Sequence, residues 1–520
     1  MAETFVRIHR RPRGRTAVVS LPFFTPFSSC YPALLLGTIA GTGGMPADVV
    51  HAYVDFPRRF WKADGDVAAY KSLTHEPFLA DACLLPLFDR WERGRSLELE
   101  RFASACGAPS PAFRSRLRAA FSRYLDELCD RLAGYDVVAL TATHYQLGPS
   151  LLLAERLKRL GPSAPRVILG GYLSSPETAA LLLEHHRALD AVVFGEAEAG
   201  WAPALDAVLS GERALIRGGG SGFGAVIPDH GPFLEDVSRA PWLASRLQVS
   251  LEVSRGCYWD KCDFCNFNVG YEGRFKSFPP ESVLAEMDRL RSRYGQRRFQ
   301  FLDTALPRRF ARWLRQHDVV RDFEVFCEIR PDFASDDLEA LTRLGRVSVQ
   351  LGVETLVESH LARMNKNCTV ADNVRALLDC ERFGIPATWG VFVGHPGETA
   401  GELEQLLERT RSWRHLPAPK YVTECEVRAG SRLWEQRDEL GLEPSFPWRA
   451  FDVVLPPVVE ASEFVPVAVR VPGRGPRSNQ LIADIKCSVQ EWQQEWQQEW
   501  QQQGRPAAPD RAGRRHAVVA

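Results

Sequence analysis

Long hydrophobic runs are missing from this chain. The longest apolar stretches, residues 16–24 and 301–306, are interrupted by Pro22 and Asp303. Neither approaches the roughly 20 apolar residues of a membrane-spanning helix. The basic start, with Arg10, Arg11, Arg13 and Arg15, is not followed by the apolar segment and cleavage site of a secretory signal. Charge of one sign is not in excess: 64 Lys and Arg oppose 65 Asp and Glu, a net charge of −1. No bulk positive field therefore argues for a nucleic-acid partner. No G-x-G-x-x-G follows the first strand, which argues against a nicotinamide dinucleotide site. No Ser/His/Asp set or carboxylate pair marks a hydrolytic centre. Nine of the twelve cysteines, Cys30, Cys83, Cys106, Cys129, Cys327, Cys368, Cys380, Cys425 and Cys487, show no pairing pattern. Reduced thiols in a cytoplasmic protein fit that scatter.

What is present is a chain of 520 residues, 45% hydrophobic and 25% charged, the composition of a globular protein of about two to four domains. The first part alternates strand and helix. Strands are predicted at 16–21, 136–140, 166–169 and 191–194, with helices at 150–160 and 176–186 and a mostly helical insertion at about 65–133. Such alternation implies a parallel, doubly wound sheet over 1–215. Residues 216–245, with a Gly-rich stretch at 218–224, read as a linker. A second α/β series fills 246–415, with strands at 247–253, 299–302, 324–329, 348–352 and 387–393. Helices are expected at 280–294, 308–317, 336–344, 370–383 and 400–414. Five or six such units fit a partial (β/α) barrel better than a second open sheet. Residues 416–480 read as irregular. Residues 481–520 read as a low-complexity tail whose repeat, EWQQEWQQEWQQ, places Trp492, Trp496 and Trp500 along one helix stripe. That stripe could dock a partner, but a frayed terminus is the favoured expectation.

The chemistry concentrates in the remaining cysteines. Cys257, Cys262 and Cys265 form a C-x4-C-x2-C run directly after a strand, within SRGCYWDKCDFCNFNV. A loop can bring three such thiolates to one centre. A zinc site would want a fourth ligand, and no second CxxC or HxxxH follows. Three thiolates on a [4Fe–4S] cluster leave one iron open for substrate or cofactor. The spacing alone leaves cluster, zinc and chance grouping open.

The run, its aromatic Phe264 and the β/α series that follows resemble the radical S-adenosylmethionine (SAM) enzymes, whose usual signature is C-x3-C-x2-C. The extra residue between the first two cysteines departs from that pattern. FLDT at 301–304, EIRP at 328–331, QLGVET at 350–355, MNK at 364–366 and VGHPGET at 393–399 resemble further segments of the family. The resemblance implies a [4Fe–4S] cluster on Cys257, Cys262 and Cys265. It implies SAM contacts from Phe264, Asp303, Glu328, Arg330 and Glu354, each of which could instead be a buried ion pair or a capped strand end. The stretch 394–398 reads rather as a turn and helix start, with Pro396 as the opener. Cys327 reads as a small buried strand residue.

A doubly wound sheet ahead of such a barrel resembles the cobalamin-binding domain of cobalamin-dependent radical SAM enzymes. The matching segments are LPF at 21–23, DVVALTATHYQ at 136–146, LGGY at 169–172 with Ser174, and FGEAE at 194–198. The implied corrinoid residues are Pro22, Thr141, Tyr145, Gln146, Gly170, Gly171, Gly195 and Glu196. The Asp-x-His-x-x-Gly motif is absent around His144, so no histidine of this chain is expected on cobalt. A remnant sheet without corrinoid is the alternative. The resemblance implies methylation of an unactivated carbon of a natural-product or peptide intermediate, with a flavodoxin or ferredoxin as electron donor. Radical rearrangement, cyclisation or oxidation without methyl transfer is one rival. A metal-stabilised binding protein without catalysis is the other.

Overall fold

The computed structural model describes residues 15–42, 45–61, 64–74, 79–87, 108–143, 145–171, 176–219, 226–238, 243, 246–268, 274–428, 430–442, 469–470 and 475–502. His144, Tyr172, Ser174, most of the Gly-rich stretch, residues 88–107 of the helical insertion and residues 503–520 lie outside them. The described residues form two compact units, divided between Val249 and Ser250.

The first unit is built on a six-stranded sheet. Its strands are β1 Thr16–Ser20, β2 Ala47–His51, β3 Val137–Ala142, β4 Arg166–Gly171, β5 Ala191–Phe194 and β6 Ala214–Arg217. All neighbours are parallel, and the order is β2-β1-β3-β4-β5-β6. The central strands β1 and β3 are buried throughout, which is why they read as unbroken apolar runs: helices cover both faces. Sequence reading missed β2 and β6. Both are edge strands, and β6 alternates half-buried and exposed residues, so neither shows the apolar run of a central strand. Residues 216–245 also hold more than a linker, because the helix Gly231–Val237 buries Phe233 completely. The insertion is helical where described, including Asp64–Leu73 and Pro111–Leu132, the latter capped by Ser110.

The chain leaves β1 toward β2 and returns to β3 on the other side, so the switch point lies between β1 and β3. Ligands of doubly wound sheets bind at such a point, beyond the carboxyl ends of the strands. Gly171 ends β4 at φ +110°, and a Cβ there would fall 2.2 Å from the Ala142 carbonyl oxygen. Glycine is needed for β3 and β4 to run side by side at this end.

The second unit holds β7 Val249–Leu251, the short antiparallel pair β8 Ser254–Arg255 and β9 Lys276–Ser277, then β10 Arg298–Phe301, β11 Phe323–Ile329, β12 Gly345–Leu351, β13 Ala387–Thr388, β14 Gly390–Val393 and β15 Tyr421–Glu424. One sheet has the order β13-β12-β11-β10-β7, and β14 pairs in parallel with β15. The expected strand 387–393 is thus one chain segment broken at Trp389. It passes the sheet on to a sixth strand, as a partial barrel requires. Helices Pro280–Tyr294, Arg308–Gln316, Ser335–Leu341, Val370–Arg382 and Ala400–Ser412 return the chain between strands. Pro396 does not open the last of these. Thr399 does, through a capping box with Glu402.

The expected frayed tail is corrected over 481–502. Pro476–Gln502 is a continuous helix that packs on Ala400–Ser412, with Thr410 Oγ1 donating to Ser488 Oγ at 3.0 Å. No described helix is long and apolar enough to cross a membrane.

Candidate active site

The cysteine loop leaves β8 and runs over the carboxyl end of the second sheet, where parallel barrels assemble their sites. Its approach is held by Asp303, just past β10. The Asp303 carboxylate accepts from the Val253 main-chain N–H at 3.1 Å and from the Ser254 hydroxyl. The expected SAM residue therefore spends its acceptors on the strand that leads into the loop. Burial pushes the Asp303 carboxyl up from 3.8 to about 7, against the pull of its two donors. The folded state then holds the proton more tightly than the unfolded one. The group's stability contribution is full below about pH 4 and is lost as pH rises through 7. Thermal unfolding of the apoprotein between pH 5 and 8 should show this decline, and Asp303→Asn should flatten it.

Between the first two cysteines Asp260 takes φ +50°. Trp259 closes over the turn that follows Met364, its indole N–H donating to the Asn365 carbonyl at 2.7 Å. Asp263, between the second and third cysteines, is anchored on three sides. Its N–H donates to Met364 O, its carbonyl accepts from Leu433 N–H, and its carboxylate lies 3.0 Å from His395 Nε2. The other nitrogen of His395 faces the Pro396 carbonyl at 2.8 Å.

Two buried cations border the thiols. Lys366 Nζ pairs with Glu354 Oε1 at 2.7 Å and stands 6.0 Å from the centre of the Phe264 ring. Arg330 donates to the Lys366 carbonyl at 2.5 Å and lies over Tyr258 and Trp259. Glu354 adopts φ +62° and is bridged to Val391. Burial pushes the Cys265 thiol up to about 12 and raises Cys262 too. The other cysteines of the run add to this, while Lys366 counters it at both. The thiols thus sense one another. Among the described residues, however, no three His, Cys, Asp or Glu are gathered tightly enough for one metal ion. Zinc would hold every sulfur about 2.3 Å from one point. Three cysteine thiols on one loop that influence one another are the donor type a [4Fe–4S] cluster takes, one thiolate per iron.

Residues 251–410 match the Radical SAM superfamily. This segment is a radical SAM domain. The described contacts gather Phe264, Arg330 and Glu354 around Lys366, a residue the motif MNK contained but sequence reasoning gave no role. Glu328 lies on the same sheet face as Gln350 and Thr388, in register across β11, β12 and β13. Neither Gln350 nor Thr388 was singled out, because only the register reveals the row. Tyr421 was missed as well. It covers Gly390, where a Cβ would fall 2.0 Å from the ring. Cys327 is buried in β11 at 1% exposure.

Relatives are distant. The chain is 23% identical over 355 residues to an uncharacterized methyltransferase of Pyrococcus horikoshii, covering 63% of this chain and 75% of that protein. It is 25% identical over 312 residues to the anaerobic magnesium-protoporphyrin IX monomethyl ester cyclase of Rubrivivax gelatinosus, 54% of each. Among solved structures, the cobalamin-dependent radical SAM enzyme OxsB with aqua-cobalamin superposes with a TM-score of 0.59 at 12% identity, over 90% of this chain and 66% of that one. The radical SAM methyltransferase TsrM of Kitasatospora setae, with cobalamin and a [4Fe–4S] cluster, gives 0.54 at 13% identity, over 84% and 79%. The chain thus spans about half of the cyclase and about two thirds of OxsB. The fold is that of cobalamin-dependent radical SAM enzymes.

In the first unit the expected corrinoid residues gather at the carboxyl ends of the strands. Pro22 follows β1, Tyr145 and Gln146 follow β3, and Gly195 and Glu196 follow β5. Gln146 is committed to the fold itself. Its amide nitrogen donates to Ser20 Oγ at 3.1 Å and Leu21 O at 2.5 Å, and its oxygen accepts from Thr143 N–H at 3.1 Å. It straps the switch point together. Gly170 keeps the edge small: an added Cβ would meet only Val193, at 3.6 Å or more.

Proposed function

We propose that this chain is a cobalamin-dependent radical SAM methyltransferase acting on a carbon of a small-molecule or peptide intermediate. The observation that carries the reading is the loop of Cys257, Cys262 and Cys265 beside Lys366 and Arg330, at the carboxyl end of the barrel strands. The switch point of a doubly wound sheet in the same chain supports the corrinoid part. The likeness to TsrM and to the Pyrococcus methyltransferase supports methyl transfer. When bound, a [4Fe–4S] cluster supplies the electron for reductive cleavage of SAM, and cobalamin supplies a methyl carrier.

The chain's own residues then have defined tasks. The three thiolates hold iron and leave one corner for SAM. Lys366 and Arg330 offset the negative charge of the thiolates in a buried place, where charge is costly to leave unpaired. Lys366 also holds Glu354 in its left-handed position, ready to accept from an amine or hydroxyl of SAM. Glu328 offers a second carboxylate on the same face. Pro22, Thr141, Tyr145, Gly170, Gly171, Gly195 and Glu196 would border the corrinoid. A small reductant protein of the flavodoxin or ferredoxin kind would deliver electrons.

The test is metal content followed by product analysis. Protein purified without oxygen from a cobalamin-supplied host should carry about four irons and about one cobalt per chain, and should form both deoxyadenosine and S-adenosylhomocysteine with its substrate. Iron without cobalt would sink the methylcobalamin part. A second reading, radical cyclisation without methyl transfer, is favoured by the match to the Rubrivivax cyclase. It requires deoxyadenosine with no S-adenosylhomocysteine.

A further inference from the structure

One buried side chain beside the thiols has no part in the chemistry above. Asn268 stands three residues after the last cysteine and is 5% exposed. Its Oδ1 accepts from the Cys257 main-chain N–H at 2.6 Å, and its Nδ2 donates to the Cys257 carbonyl at 3.0 Å. A single amide therefore satisfies both main-chain polar groups of the first cysteine. The N–H needs an acceptor and the carbonyl a donor, and a carboxamide carries the two side by side on one carbon.

The pairing closes a loop. It joins residue 257 to residue 268, and Cys262 and Cys265 lie on the chain between them. A closed loop has less entropy to lose when its thiols converge than an open one. A second observation shows that the local backbone is shaped around this amide. Gly256 takes φ +80°, and a Cβ there would lie 3.0 Å from Asn268 Oδ1. The residue before the first cysteine is thus held to glycine by its φ, by the Arg274 carbonyl oxygen at 3.1 Å and by the same amide oxygen that holds the cysteine. The loop's middle is pinned separately, through Asp263 to Met364, Leu433 and His395. Cys257 follows the paired strand β8 by two residues, and Asn268 is the partner of its own main-chain N–H and carbonyl.

We propose that Asn268 is a positioning residue for the iron–sulfur site: its carboxamide clamps the main chain of Cys257 and aims that thiol at the centre shared with Cys262 and Cys265. The proposal rests on the cluster reading above and concerns how the protein holds iron, so it can be read without turnover. Asn268→Ala removes both hydrogen bonds. It should release iron to a chelator about tenfold faster or more than wild type, the scale of one to two net hydrogen bonds. It should also shift the g-values of the reduced cluster and its midpoint potential. Asn268→Asp keeps the acceptor toward Cys257 N–H, loses the donor and sets a carboxylate against the carbonyl, so its release rate should fall between the two. Gly256→Ala, which drives a methyl against the same amide oxygen, should move the spectrum in the same way if Asn268→Ala fails to fold. A purely structural role would lower the unfolding temperature of the apoprotein and leave the reduced-cluster spectrum unmoved. Wild-type iron release and wild-type spectra in folded Asn268→Ala overturn the proposal while the cluster reading stands. A wild-type protein that takes up zinc and no iron cluster overturns both.

Discussion

Cys262→Ala is expected to yield a folded protein that retains no intact iron–sulfur cluster and cleaves SAM only at background. The size of the effect follows from ligand count. Three thiolates would hold a cluster with a single corner left for SAM; two would leave a further iron without a protein ligand, and clusters in that state lose iron. After burial itself, the Cys262 thiol feels Lys366 and Arg330 more than any other charge. Removing the sulfur also leaves two buried cations facing a smaller anion, which adds to the loss. Cys257→Ala and Cys265→Ala should behave alike, whereas Cys368→Ala, outside the run, should keep its iron. Iron and sulfide per chain and deoxyadenosine formation under strong reductant are the measurements. Full iron content in Cys262→Ala would remove the residue from the ligand set.

Trp492→Ala is expected to cost about 3–5 kcal/mol of stability in the second unit, the range for deleting a fully buried large aromatic. Trp492 is completely buried. It packs edge-on against Trp389 at 6.0 Å between ring centres and donates its indole N–H to the Leu416 carbonyl at 3.1 Å. It ends a stripe of Ile482, Ile485 and Val489, each no more than 4% exposed, at the i, i+3, i+7 spacing of a helix face. Truncation would leave a cavity under Trp389, which closes the break between β13 and β14, and would orphan a carbonyl. Trp496→Ala should cost under about 1 kcal/mol, because that ring is only half-buried and surface positions contribute little. Denaturant unfolding of the apoprotein reads both. Equal effects would mean that the repeat works as a uniform docking stripe.

The repeat shows why a sequence pattern can mislead about role. A four-residue period looks like one continuous stripe. At 3.6 residues per turn, however, each step overshoots by about 40°, so successive tryptophans rotate away from any one partner. The drift predicts that Trp492 and Trp496 cannot share one environment. Nothing in EWQQ says which ring meets a neighbour, and that neighbour is 103 residues earlier in the chain, at Trp389.

Sequence by itself determined the two α/β units, most of their buried strands and helices, and the C-x4-C-x2-C run as the place where the chemistry concentrates. These were legible because each is local: buried parallel strands are continuous apolar runs, caps and glycines punctuate them, and thiols within one short segment can meet in one loop. Tertiary structure alone decided which partners the polar groups near the site have. Asp303 and Gln146 carry the same motif evidence as Glu354, yet the first braces the strand into the cysteine loop and the second straps β1 to β3. Edge strands β2, β6 and β15 were invisible because half-exposed, short segments carry little hydrophobic signal. Asn268, Lys366, Gln350 and Tyr421 gain their roles from pairings, registers and close approaches between residues 11 to more than 30 positions apart. A side chain's partner is fixed by where the backbone folds back, and that depends on the packing of the whole unit, not on the residues beside it.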